Sequence, residues 1–458
     1  MTFLEKIRSL LHTNYYLAAM LAVGCLVNAF GLEVQGTVFF VLLICVLLFV
    51  CSDILVTTAP FMMLAMTVIT CYDSYETFIK LWWLAIPFAA ALLYRLFVHS
   101  RKPFFGRSFW GMLAVTLAVT LGGIGTITQA DYFNKVSLYY VFGLGLGMVA
   151  AYIFLATQVK CGKNNNNREF FAKTMYISAL LGVFMIFRFI LSDLSIILEA
   201  DEIPSIQWAN NLTTFLIITM PFVFHFTKRR AIHLTVGLLI AVAIMLSCSR
   251  GGWIMGGVEY VICSVAGIIL DKKHRLLNGA FLVGSVLAVS GVIYQLRSIL
   301  LKALYYNAQT GSYNFIGSSE PRVRLYERMK EDFASNRIFG CGLGYSGNSD
   351  VYDPKYFAMH WYHSAPMQIL GSLGLFGVAA YLVQVTLRLV TLIKNIDSFK
   401  FTVLLSFIGL WLVSLVNPGI FCPVPYEFLA VMMFVLVEAA DRNERKPMKV
   451  IVMSEDLN

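Results

Sequence analysis

Residues 231–270 read AIHLTVGLLIAVAIMLSCSRGGWIMGGVEYVICSVAGIIL, two apolar runs on either side of the break Ser247-Cys248-Ser249-Arg250-Gly251-Gly252. A helix that crosses a bilayer needs about 20 mostly apolar residues, so this stretch predicts a membrane hairpin that turns at Arg250. Working outward, comparable runs centre on 15–32, 36–51, 54–71, 81–98, 109–128, 137–157, 174–192 and 212–226, and beyond the hairpin on 277–296, 369–393, 401–416 and 426–440. The second, the eighth and the last are short, and the pair flanking Cys51-Ser52-Asp53 also fits a single hairpin. The expected fold is therefore all-α, a polytopic membrane protein with about 12–14 transmembrane helices.

Composition agrees. The 458 residues are 59% hydrophobic and 13% charged, with a mean hydropathy of +0.73, whereas soluble domains carry about 25% charge. The net charge of +9 would suggest nucleic acid in a soluble chain; here its distribution across the bilayer is what matters, and no nucleic-acid partner is expected. Arg8, Arg95, Arg101, Lys160, Arg168, Lys228-Arg229-Arg230, Lys272, Arg388, Lys400 and Arg442 fall on one set of alternating loops. The opposite loops carry Glu33, Asp73, Asp131, Asp193 and Asp201, with little positive charge besides Lys80, Lys135 and Arg250. The positive-inside rule then puts both termini in the cytoplasm. The first apolar run lacks a small-x-small cleavage pattern and reads as a retained helix. Most of the nine cysteines lie within or beside apolar runs, so no disulfide framework is expected, and a Cys341–Cys422 bridge is disfavoured.

This divides the chain into a transmembrane region over 1–296, an extracytoplasmic cap loop over 297–362, further transmembrane helices over 363–440 and a cytoplasmic tail over 441–458. A loop as long as the second of these is usually functional or disordered. Its Tyr, Phe, Gly and charge, with little low-complexity sequence, favour an ordered cap.

Three segments on the outer face carry candidate chemistry. Arg250 ends one span beside a glycine pair that opens the next; it either binds an anion with the following helix N-terminus or caps a tight interfacial turn. Glu320-Pro321-Arg322-Val323-Arg324-Leu325-Tyr326-Glu327-Arg328, if helical, sets Arg324 and Arg328 on one face. Those arginines either clamp phosphate or pair with Glu327, Glu331 and Asp332. In His360-Trp361-Tyr362-His363-Ser364 an imidazole can accept a proton and the aromatic rings can stack on a sugar, although Trp and Tyr also anchor membrane interfaces. His360 and His363 lack further ligands at metal spacing, and Asp350 and Asp353 make no convincing site, so no metal or cofactor is expected. The glycine-spaced Asn336–Gly344 is weak as a phosphate loop because no strand precedes it.

In this order, and over roughly residues 245–380, these segments resemble the bacterial O-antigen ligase and polymerase superfamily of polytopic glycosyltransferases. Ser247–Gly252 is similar to the family's S-x-S-R-G-G/A element. Arg322 stands four residues before Tyr326, ahead of a glycine-rich segment. His363, Gln368, Leu370, Gly374, Leu375 and Gly377 fit its H-N-x-x-L-Q-x-L-x-E-x-G-L-x-G helix entry. Ser364 departs from the family's Asn and Ser372 from its frequent Glu.

The resemblance implies a GT-C-like membrane enzyme that moves a glycan from a polyprenyl-diphosphate donor to an acceptor hydroxyl, inverting and without a metal. It assigns leaving-group stabilisation to Arg250 and Arg322, with Arg324 in reserve, and base or acceptor orientation to His363. Arg324, Arg328, Trp361, Tyr362 and Gln368 would contact substrate. The implied setting is a bacterial inner or plasma membrane, with the acceptor a glycan, lipid or polymer. Ligation and repeat-unit polymerisation share a donor and stay unseparated. A flippase is the competing class; it predicts charges along a central path, whereas the runs look nearly charge-free apart from Arg188.

Overall fold

A computed structural model describes residues 8–71, 74–125, 133, 135–162, 166–200, 208–226, 232–299, 306–307, 312–313, 320–344, 362–417 and 419–443. Its main helices are α1 Asn14–Ala29, α2 Glu33–Val50, α3 Thr58–Ile69, α4 Ala85–Val98, α5 Arg107–Leu121, α6 Ser137–Gln158, α7 Asn167–Ser192 and α8 Ala209–Phe224. They continue with α9 Ile232–Leu246, α10 Arg250–Leu270, α11 Arg275–Gln295, α12 Glu320–Ser335, α13 Ala365–Ile393, α14 Ser398–Ser414 and α15 Phe428–Ala440. By length and composition α2, α6, α7, α10, α11, α13 and the segment Pro423–Ala440 can each cross a membrane, and the other helices apart from α12 are shorter apolar ones. The protein is thus a polytopic membrane protein. Extended pairing among the described residues is limited to Tyr306–Asn307 against Ser312–Tyr313.

The burial pattern is that of a chain solvated by lipid. In α11 the buried residues are Asn278 and Ser285, while Leu276, Val283 and Leu287 face outward, the reverse of a water-soluble helix. At the centre α8 and α15 are buried on nearly every side.

Side chains tie the helix ends. Arg8 donates to Val50 O, Arg95 to Cys51 O and Ser52 O, and Arg101 to Gln158 O. Arg442 donates to Phe105 O, Arg168 pairs with Asp397, and Lys400 reaches both Lys394 O and Asp441. These residues carry the charge that the sequence puts on one side, and they satisfy backbone carbonyls left open at helix ends.

One expectation is overturned: the interior is not nearly charge-free. Arg95, Glu259, Arg388, Lys400, Glu427 and Glu438 are all buried. Arg388 is not the loop residue that its place among the alternating basic loops suggests: α13 continues to Ile393 and leaves it inside the bundle, paired with Glu427. Glu438 accepts from the Ser108 N–H at 2.9 Å and from the Tyr152 hydroxyl at 2.5 Å. A hydropathy window averages over such residues, whereas burial depends on a partner that the window does not contain.

The chain approaches α15 irregularly, through a short 3-10 turn, Gly419–Phe421, and a wide turn, Pro423–Glu427. The wide turn lines an apolar cavity of about 840 Å³, whose walls include Leu48, Phe61, Phe88, Leu92, Phe154 and Val424.

Candidate functional site

The predicted break at Arg250 is a tightly wired turn. Cys248 adopts a left-handed φ of 55°, which reverses the chain after α9. Ser249 then caps α10: its Oγ accepts from the Gly252 N–H at 3.2 Å and donates to Asn210 Oδ1, at the start of α8, at 2.6 Å. Arg250 is the first residue of α10 and is exposed. Its guanidinium is therefore added to the positive end of a helix dipole, a combination suited to an anion. A Cβ on Gly251 would lie 2.8 Å from Val416 Cγ2, so the turn packs directly on the segment after α14. Cys248 also joins a small apolar cluster with Ile190, Ile197, Leu296 and Ile299. The end of α11 thus returns to the start of α10.

The second segment is helical and forms α12, from Glu320 onward. Arg322 lies in its first turn, and its side chain is outside the described residues. Arg324 is exposed. Arg328 is half-buried and pairs with Glu331 at 3.3 Å and Asp332 at 3.5 Å, the ion-pair alternative weighed from the sequence.

The glycine-spaced segment after α12 is a backbone clasp on α13. Gly374, at φ +63° and ψ −160°, breaks that helix. On one side of the break Cys341 and Gly342 N–H groups donate to Gly371 and Ser372 carbonyls at 2.9 and 3.0 Å. On the other, Leu375 and Phe376 N–H groups donate to Arg337 and Ile338 carbonyls at 2.8 and 3.0 Å. A Cβ on Gly340 would fall 2.3 Å from the Ser372 carbonyl carbon, and one on Gly374 2.5 Å from that of Ile338. Only glycine allows this crossing. Leu343 N–H donates to Gly123 O at 2.7 Å and ties the clasp to the end of α5.

The clasp positions the third segment. The Tyr362 hydroxyl donates to Asp332 Oδ2 at 2.5 Å, and its N–H donates to Gln368 Oε1 at 3.0 Å. Gln368 Nε2 then donates to Ser372 Oγ at 2.9 Å. Ser372, the departure from the family's Glu, is thus the acceptor that fixes Gln368. Next to this chain His363 takes a left-handed φ of 54°; it is partly exposed, with Nδ1 buried. Such a backbone costs about 1–3 kcal/mol in a non-glycine residue and persists where its surroundings over-determine it.

Burial raises the Asp332 carboxyl above the usual carboxylate range, opposed by the Tyr362 hydroxyl and Arg328. Tyr362→Phe removes one of these opposing contacts, so the carboxyl rises further and, at neutral pH, a buried carboxylate oxygen loses its donor. The expected cost is about 1–3 kcal/mol, read as faster hydrogen exchange at the Cys341–Leu343 amides.

Gln368, Tyr362, Asp332 and Arg328 therefore form one chain of contacts that passes through the residue before His363, while Arg250 belongs to a second cluster with Ser249, Asn210 and the segment after α14. His360, Trp361, Asp350 and Asp353 lie outside the described residues. Sequence reasoning missed Asp332 as the hub and Asn210 as the partner of Ser249. Neither carries a motif, and the contacts that the sequence did not show, Asp332 with Tyr362 and Asn210 with Ser249, span 30 or more positions.

Comparison with known families gives a match to the O-antigen ligase family over residues 235–382, about a third of the chain. The matched span contains Arg250, α12, the clasp and His363, and supports the resemblance to the O-antigen ligase and polymerase superfamily. No curated protein matches the chain.

Proposed function

We propose that this membrane protein is a glycosyltransferase that transfers a glycan from an undecaprenyl-diphosphate donor to an acceptor hydroxyl at the extracytoplasmic face. The observation that carries the reading is the small apolar cluster of Ile197 and Ile299, against which both Cys248 and Leu296 pack. Because of it, the loop that leads through α12 to His363 starts beside Arg250, and all three segments belong to one end of the bundle. The positive charge gathered on the other set of loops supports that end as the outer one.

In this reading the acceptor oxygen attacks the sugar C1 from the face opposite the diphosphate, and the configuration inverts. The C1–O bond to the diphosphate breaks, and its electron pair leaves with the phosphate. His363 takes the hydroxyl proton or orients the acceptor. Arg250, with Arg322 or Arg324, meets the charge growing on the leaving group, so the transfer needs no metal. The apolar cavity suits the prenyl tail: Val424 lines it, and the same irregular segment packs on Gly251 through Val416. Ligation and repeat-unit polymerisation both use this arrangement and differ in the acceptor.

His363→Ala is expected to lower transfer from a lipid-diphosphate oligosaccharide by about 10²–10⁴-fold, measured in membranes with matched protein levels. A wild-type rate would remove the histidine from the mechanism.

The buried charges favour a second reading, translocation of the lipid-linked glycan. Arg388 and Glu427, however, are enclosed by Phe407, Phe434 and Tyr381 rather than strung along a path. Glycan movement across reconstituted vesicles without glycosyl transfer would establish that alternative.

A further inference from the structure

At the same end of the bundle as Arg250 a polar pocket of about 230 Å³ opens among helix ends. Its walls include Asn28 at the end of α1, Glu33 at the start of α2, Thr70 after α3, Arg188 one turn before the end of α7, Asp193 just beyond it and Trp208 just before α8. Arg188 Nη1 donates to Asn28 Oδ1 at 3.4 Å. The Trp208 ring is held edge-on by Phe189 at 5.9 Å between centroids.

We infer that this pocket is the subsite for one sugar ring of the acceptor. The inference rests on the glycosyltransferase reading and specifies which substrate this part of the outer face takes. A pyranose presents hydroxyls around its edge and apolar C–H groups on its faces; the pocket offers amide, carboxylate, guanidinium and hydroxyl groups around an aromatic ring. Its volume lies below the roughly 300–1,000 Å³ of sites for drug-sized ligands, which fits a single ring rather than an oligosaccharide.

Charge selects the substrate. Among the described residues that line the pocket, two carboxylates, Glu33 and Asp193, outnumber one guanidinium, Arg188, so a diphosphate is repelled and a neutral or amino-bearing sugar is accepted.

Two connections join the pocket to that turn. Trp208 precedes by two residues Asn210, whose Oδ1 accepts from Ser249 Oγ at 2.6 Å. Ile190, two residues after Arg188, packs in the cluster that holds Cys248. A ring bound in the pocket is therefore registered against the arginine turn through Asn210 and Ile190, each two residues along the chain from a wall residue.

The test uses the full chain in detergent or nanodiscs, with saturation-transfer NMR on methyl glucoside, glucosamine and glucuronic acid, and separate KM and kcat measurements for acceptor. Binding of glucoside and glucosamine but not glucuronic acid is expected. Trp208→Ala is expected to raise the acceptor KM by about tenfold or more with a smaller change in kcat. Asp193→Asn, an isosteric change, covers the case in which the tryptophan variant fails to fold; it weakens glucosamine selectively. Unchanged saccharide signals and acceptor KM in a folded variant would overturn the subsite, even where Arg250→Ala abolishes transfer and the enzymatic reading stands. Full activity of Arg250→Ala would instead strike at the enzymatic reading, while the NMR signals still report on the pocket.

Discussion

Arg250→Ala is expected to reduce glycan transfer by about 10²–10³-fold, with donor KM moving far less than kcat. The asymmetry follows from where charge appears. The donor's diphosphate is already anionic in the ground state, but breaking the C1–O bond adds charge at the leaving oxygen, and a guanidinium fixed beside that oxygen strengthens its interaction during the reaction. In the structure the backbone that carries this side chain is held on both sides: Ser249 caps the Gly252 N–H and anchors to Asn210, and Gly251 seats the turn on Val416. Arg250→Lys keeps the charge and loses the bidentate fork, so it should recover only part of the rate. The measurement is single-turnover transfer from a purified lipid-diphosphate oligosaccharide, and a wild-type rate for the alanine variant would refute the assignment. Ser249→Ala should mimic a weaker form of the same defect, since loss of an N-cap costs about 0.5–2 kcal/mol and loosens the turn without removing the charge.

Glu427→Ala is expected to destabilise the fold by about 3–5 kcal/mol, measured as a fall in unfolding free energy in detergent micelles. Arg388 and Glu427 are both buried and engage through two contacts, one of them at 3.3 Å. The guanidinium carbon also sits 5.0 Å from the Phe434 ring centre and 5.7 Å from that of Phe407. Removing the carboxylate strands a cation among aromatic rings with no water to solvate it, and this desolvation, rather than the lost attraction, dominates the cost. The double change Arg388→Met with Glu427→Leu should recover much of the stability, because replacing both ions together leaves nothing uncompensated. A single variant as stable as the wild type would show that the pair is not buried as described.

The membrane fold was legible in the sequence, because each spanning helix satisfies its own backbone and needs only a long apolar run to be recognised. α10 and α11 emerged within a few residues of the runs at 252–270 and 277–296. The last run, 426–440, was less legible: its first residues form an irregular turn through Pro423 and Pro425. Composition could not report that break, since prolines at the mouth of an apolar run fit a helix start equally well.

The candidate site was half legible. Arg250 and His363 stand out because a charged or titratable residue at the edge of an apolar run is costly and so informative. The glycines after α12 also stood out, but their purpose did not. Spacing alone cannot distinguish a loop that wraps a phosphate from one that crosses a helix backbone at Gly374.

What the sequence determined by itself was the all-helical membrane scaffold and the identity of the outlying charged residues, since both depend on local solvation by lipid or water. Only the tertiary structure decided which distant groups meet: Ser249 with Asn210, Asp332 with Tyr362, Arg388 with Glu427. Those pairings depend on how helices pack, and a hydrogen bond or ion pair formed across 30 or more residues leaves no trace in the spacing of either partner.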